Sequence, residues 1–125
     1  GATYTERGFI SWDGSNMALV NASDRRLKTN ITESNSAIES VKQINVRSFN
    51  FIENNNYVDY GFIAQELRES APEAVNIGTD DEHGNIDKPW TVGYATLVPR
   101  LTKALQEAIA KIETLEAKVA ALEAQ

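Results

Sequence analysis

Hydrophobic positions fall into three blocks with different periods. In the first, Phe9, Ile10 and Trp12 lead into Asp13-Gly14-Ser15-Asn16, and Met17-Ala18-Leu19-Val20 leads out. Two apolar runs around a turn-rich tetrapeptide predict a hairpin. A lone hairpin is marginal in water, so this one needs support from the rest of the chain or from other copies of it.

The second block mixes periods. Ala37, Ile38, Val41 and Ile44 recur at spacings of three and four, which predicts a short amphipathic helix within 32–45, capped by Thr32 or Ser34. Residues 46–52 alternate imperfectly, the polar run Glu53-Asn54-Asn55-Asn56 follows, and 57–63 reads as a second strand. Residues 64–70 predict a short helix stopped by Pro72, because the residue before a proline is pushed out of the α region. Val75 and Ile77 predict an edge strand, 78–89 an acidic loop with a turn at Gly84-Asn85, and Trp90-Thr91-Val92 the strand that pairs back. Trp12, Tyr57, Tyr60 and Trp90 read first as ordinary core aromatics, with contacts to another surface as the other use.

The third block is the most regular. From residue 98 the chain can be written in heptads, with Val98, Leu105, Ile112 and Val119 at a and Leu101, Ala108, Leu115 and Leu122 at d. Lys111 and Lys118 at g each precede a glutamate, Glu116 and Glu123, by five residues, the offset at which opposite charges meet across a parallel coiled coil. One amphipathic helix folded back on its own domain has similar spacing. The narrow seam and the Ala-, Glu- and Lys-rich last turns suit a partner helix better. The residues at a and d do not separate two strands from three. The fold class expected from the three blocks is α+β, a small mixed domain of short strands and helices ending in a long helix.

Composition narrows what such a chain does. With 125 residues it holds one small domain or is a fragment of something larger. A formal charge of -6 repels phosphate backbones and anionic lipid, so neither nucleic acid nor a membrane is an expected partner. There is no cysteine, which leaves core burial or association to hold the fold. No apolar run approaches the roughly 20 residues of a membrane span, and the first residues show no charged-then-apolar pattern.

Candidate chemistry is sparse. His83 stands alone in an acidic loop and reads as solvated. Asp80, Asp81, Glu82 and Asp87 do not have the spacing of a calcium loop, and the glycines form no phosphate cradle, so no metal and no cofactor is expected. Ser23 and Lys28 remain. A serine hydroxyl needs a base, and a lysine serves when desolvation or neighbouring cations such as Arg25 and Arg26 favour its neutral amine. On spacing alone the other reading stands beside it, in which Ser23 and Asp24 cap a turn and Lys28 is solvated.

Three ordered segments add to this. Ser23-Asp24-Arg25-Arg26-Leu27-Lys28-Thr29-Asn30-Ile31 resembles the SDxRLKxxI opening of the peptidase S74 family, the intramolecular chaperone domains at the C-termini of bacteriophage tailspikes, endosialidases, tail fibres and neck appendages. Gly61-Phe62-Ile63-Ala64-Gln65-Glu66-Leu67 and Tyr94-Ala95-Thr96-Leu97-Val98-Pro99-Arg100-Leu101, running on to Ala104-Leu105-Gln106-Glu107, fit in the same order. The resemblance covers about residues 23 to 110.

It implies a homotrimer that folds the fibre or spike segment preceding it and then cuts itself away between Ala22 and Ser23. Ser23 would be the nucleophile, Lys28 the general base, and Arg25 or Arg26 a stabiliser of the oxyanion or a tuner of the base. The chain would divide into 1–22, the end of the fibre; 23–97, the chaperone and self-cleavage domain; and 98–125, the coiled-coil helix. It would be made in the host cytoplasm as a virion precursor, with the chaperone released from the mature particle. The competing reading is a trimerisation module at a fibre tip that does not cleave; receptor binding ranks third, since a discarded segment cannot serve the finished particle.

Overall fold

A computed structural model describes residues 7–125. Residues 1–6, the start of the segment expected to end a fibre, lie outside the described residues. The chain forms two compact units, 1–33 and 34–125.

The first unit is built on a hairpin. Strand β1 (Gly8–Trp12) pairs antiparallel with β2 (Met17–Asn21), from Gly8 opposite Asn21 to Trp12 opposite Met17. The Asp13 carboxylate closes the turn by accepting from the N–H groups of Ser15 at 2.8 Å and Asn16 at 2.7 Å. These bonds hold the Asp13 carboxyl below its usual range. At the open end only glycine fits, because a Cβ on Gly8 would lie 2.3 Å from the Val20 carbonyl oxygen. Side chains alternate between faces, so Ile10, Trp12, Met17 and Leu19 share one and Phe9, Ala18 and Val20 the other. Both faces are apolar, and all of these side chains except the half-buried Val20 are exposed. The unit continues into a single 3-10 turn, Arg25–Leu27, and an irregular stretch.

The second unit starts with the short helix expected within 32–45: α1 spans Ile38–Lys42. Thr32, Ser34, Asn35 and Ser36 are residue types that favour caps and turns over helix interiors, and the apolar repeat begins only at Ala37. Neither Thr32 nor Ser34 caps it. Ala37 takes the N-cap position with no side-chain cap of its own.

Strands β3 (Arg47–Asn50) and β4 (Tyr57–Gly61) form the second hairpin. The register shifts between Arg47 and Phe49, so that two steps of β3 span three of β4. That bulge is the physical source of the imperfect alternation in residues 46–52. Helix α2 (Ala64–Ser70) ends before Pro72, where Ala71 leaves the helical region at φ -143° and ψ 67°. Strand β5 (Val75–Asn76) pairs with β8 (Thr91–Val92), and between them β6 (Thr79–Asp80) pairs with β7 (Ile86–Lys88) around the acidic turn.

Helix α3 runs from Val98 to Glu123, with Pro99 in its first turn where a missing N–H costs nothing. The core beneath it is small. Leu67 and Leu97 are its only large fully buried side chains among the described residues, and Ala71 and Ala74 complete it, with Ile44, Phe62, Val75 and Val92 packed around them. Trp12, Tyr57 and Tyr60 lie outside any core, Tyr60 being 81% exposed. Trp90 is half-buried, with the Arg68 guanidinium 5.8 Å from its ring centroid.

The start of α3 docks on α1 through Arg100, Ala104 and Glu107, and Ala104 is buried there. At about 100° per residue the a and d positions face roughly a quarter-turn away from that docking face. Val98, Leu101, Leu105, Ile112, Leu115, Val119 and Leu122 are accordingly all exposed, and Ala108 is half-buried. The mixture of short antiparallel strands and a long terminal helix is an α+β fold.

Candidate active site

Ser23 and Lys28 meet. The Lys28 Nζ donates to the Ser23 Oγ at 2.5 Å, across five residues of chain. Geometry local to the segment brings this about. The Ala22 N–H is tied to the Arg7 carbonyl at 2.8 Å, extending the hairpin ladder to the residue before Ser23. The chain then turns through Arg25–Leu27, where the Leu27 N–H bonds the Asp24 carbonyl and the Lys28 N–H the Arg25 carbonyl. Beyond Lys28 the backbone is redirected at Asn30, which adopts a left-handed φ of 52°, a region asparagine tolerates better than most residues.

Asp24 holds the turn. Its carboxylate accepts from the Arg26 N–H at 2.8 Å and grips the same residue's guanidinium through Nε at 3.0 Å and Nη2 at 2.8 Å. The Arg26 guanidinium, followed by the Arg26 N–H, pulls the Asp24 carboxyl below its ordinary range, and the carboxylate raises Arg26 in turn. Both readings of the segment therefore coexist: Asp24 caps a turn, and that turn sets Lys28 against Ser23. Of the two arginines, Arg26 is committed to Asp24. All residues from Ala22 to Lys28 are exposed.

A hydroxyl within hydrogen-bond reach of a primary amine is the arrangement a serine nucleophile and lysine base require. No group of three or more His, Asp or Glu side chains among the described residues is placed to hold a metal. Asp81 is occupied by its own turn, accepting from the N–H groups of His83 and Asn85, and His83 is exposed beside Glu82.

A family model described as Peptidase_S74, chaperone of endosialidase, matches residues 23–76. Residues 23–76 are thus similar to the Peptidase S74 family. The S74 match opens on Ser23, the residue that Lys28 touches, and runs through β3, β4 and α2 to the end of β5. A chaperone role and self-cleaving peptidase activity are thereby given at the level of the family. No curated protein matches the chain.

The second S74 segment is explained by packing. Gly61 lies under the Phe49 ring, where a Cβ would come within 2.7 Å of a ring carbon. Phe62 stacks on Tyr94 at 5.5 Å, and Leu67 is the centre of the core. Glu66 holds Arg47 through two hydrogen bonds and also accepts from Asn45. The segment from Tyr94 to Glu107 lies beyond the matched residues, yet it works in the same way. Leu97 enters the core, Arg100 grips Glu73 at 2.5 and 2.9 Å and donates to Ser40 at 2.7 Å. Glu107 accepts from the Ser36 hydroxyl and, at 2.7 Å, from the Ala37 N–H, supplying from α3 the cap that α1 lacks. Glu73, Ser36 and Ser40 had no sequence signal. Arg100 and Glu107 did, as parts of the third segment, but without a role.

Proposed function

We propose that the chain is the chaperone end of a phage fibre, spike or neck appendage, that three copies assemble through α3, and that each then cuts its own Ala22–Ser23 bond. The observation that carries the reading is the 2.5 Å contact between Ser23 and Lys28 at the first residue of the S74 match.

The chemistry follows from adjacency. The Ser23 Oγ attacks the Ala22 carbonyl carbon through a five-membered ring while the neutral Lys28 amine takes the hydroxyl proton. The carbon–nitrogen bond breaks, the freed Ser23 nitrogen takes a proton from the Lys28 ammonium, and an ester joins Ala22 to the Ser23 oxygen. Water then hydrolyses that ester, leaving a carboxylate on Ala22 and a free amine on Ser23. Covalent proximity supplies much of the rate. Oxyanion stabilisation works best where water is excluded. The segment is exposed in the single chain, so neighbouring copies are assigned the job of enclosing it. Cleavage then reports assembly.

Trimerisation rests on the bare seam of α3. Its a and d side chains other than Ala108 are exposed, and among the described residues Lys111, Lys118, Glu116 and Glu123 form no ion pair. The number three comes from the family resemblance. On this reading residues 1–22 are the end of the fibre, 23–97 the chaperone and 98–125 its coiled coil, all made in the host cytoplasm, with 23–125 shed from the particle.

Mass spectrometry with the oligomeric mass tests this. Fragments divided at Ala22–Ser23 are expected from the native chain, and intact mass with an unchanged trimer from Ser23→Ala and from Lys28→Ala. An intact native chain that is still trimeric would establish a trimerisation module that does not cleave. A chain ending near Pro99 is expected to cleave far more slowly; equal rates would refute the coupling to assembly.

A further inference from the structure

The role of Arg26 can be taken further, on the footing that Ser23 and Lys28 are nucleophile and base as proposed above. We propose that Arg26 is a positioning residue that acts through Asp24: by occupying both carboxylate oxygens it keeps the carboxylate next to Ser23 in the chain from pairing with Lys28, leaving the amine able to take the Ser23 proton.

The argument starts from the charges in the segment. Besides Lys28, residues 7–33 carry Arg7, Asp13, Asp24, Arg25, Arg26 and Glu33. Asp13 is engaged in the hairpin turn. Asp24 directly follows Ser23, so consecutive Cα atoms about 3.8 Å apart put its carboxylate within easy reach of a lysine already in contact with the Ser23 oxygen. A carboxylate in that place favours the ammonium, the form that cannot serve as a base. In the structure it forms no ion pair with Lys28, and both of its oxygens face Arg26.

The geometry of that grip supports a directed role. The pair is exposed, and an exposed pair held by one contact contributes little. Here the guanidinium presents two parallel donors to two oxygens, and the Arg26 N–H fixes the same carboxylate from the backbone. A lysine at position 26 has no such fork. Arg25 forms no such contact among the described residues, and it stays available to the developing oxyanion.

The test uses the full chain made by cell-free synthesis. Translation is stopped, samples are moved into buffers from mildly acidic to mildly alkaline, and the fraction split at Ala22–Ser23 is followed by mass. Arg26→Gln is expected to slow cleavage about three- to tenfold at neutral pH and to displace the pH–rate profile toward alkaline pH, with the same plateau. Adding Asp24→Asn to that variant, which retains an oxygen to cap the turn, is expected to restore the native profile. A loss of rate in Arg26→Gln that is uniform with pH and not recovered by Asp24→Asn would overturn the proposal and make Arg26 a direct oxyanion donor. Ser23→Ala is run beside them. Cleavage that survives Ser23→Ala refutes the underlying dyad, an outcome distinct from a failure of the Arg26 role.

Discussion

Replacing Leu115 and Leu122 together by alanine separates a helix that waits for partners from one that belongs to its own domain. Both side chains occupy d positions and are 59% and 67% exposed in the single chain. Burying a leucine fully contributes about 1.5–3 kcal/mol, and most of that is still to be gained when the seam closes. Alanine keeps only the first carbon, so each substitution removes about 1 kcal/mol per chain. For the trimer proposed above, two positions in three chains give about 6 kcal/mol, or roughly 10⁴-fold in the association constant. Sedimentation equilibrium over a range of concentrations reads that constant directly. Urea unfolding of the dissociated chain, followed through the half-buried Trp90 in a Trp12→Phe background, reads the domain. The expected result is a large fall in association with the domain transition unchanged. The reverse, an unchanged oligomer and an earlier domain transition, would show that α3 folds back on its own chain and would sink the seam.

Two further outcomes follow from the second unit. The Ser36 hydroxyl and the Ala37 N–H hold the Glu107 carboxyl below the ordinary glutamate range, as the Arg100 guanidinium does for Glu73. A depressed carboxyl contributes fully above the unfolded value near 4.5 and loses its contribution as pH falls through the folded value. Acid titration should therefore loosen α1 below that point, and Glu107→Gln should flatten the response; amide hydrogen exchange across residues 37–42 measures both. Gly61→Ala puts a Cβ 2.7 Å from the Phe49 ring and should cost about 1–3 kcal/mol, read as a lower urea midpoint with unchanged slope.

What was legible in the chain depended on whether the signal was local. The hairpin at Asp13-Gly14-Ser15-Asn16, the helix that stops before Pro72 and the long helix from Val98 all rest on neighbours within a turn or two, and the structure has each element there. The short helix expected within 32–45 is there but occupies only Ile38–Lys42, because the apolar repeat begins at Ala37 and its N-terminal cap comes from a distant residue. At the site, spacing left two descriptions of Ser23 and Lys28 open. The family resemblance favoured one, and the structure shows why the choice was hard, because the Asp24 cap and the Ser23–Lys28 contact are parts of one turn. Contacts between distant segments were invisible. Nothing around Ala37 announces that its N–H is met by Glu107, seventy residues away.

That long-range cap sets a schedule. A ribosome makes Ala37 long before Glu107, and a five-residue helix without its cap is too short to persist in water. The core has the same timing, for Leu67 waits on Leu97. Nascent α1 therefore stays unformed until α3 has emerged, so the unit cannot close early around a partly made chain. The order of synthesis thus places the completion of this fold after nearly all of the second unit has been made.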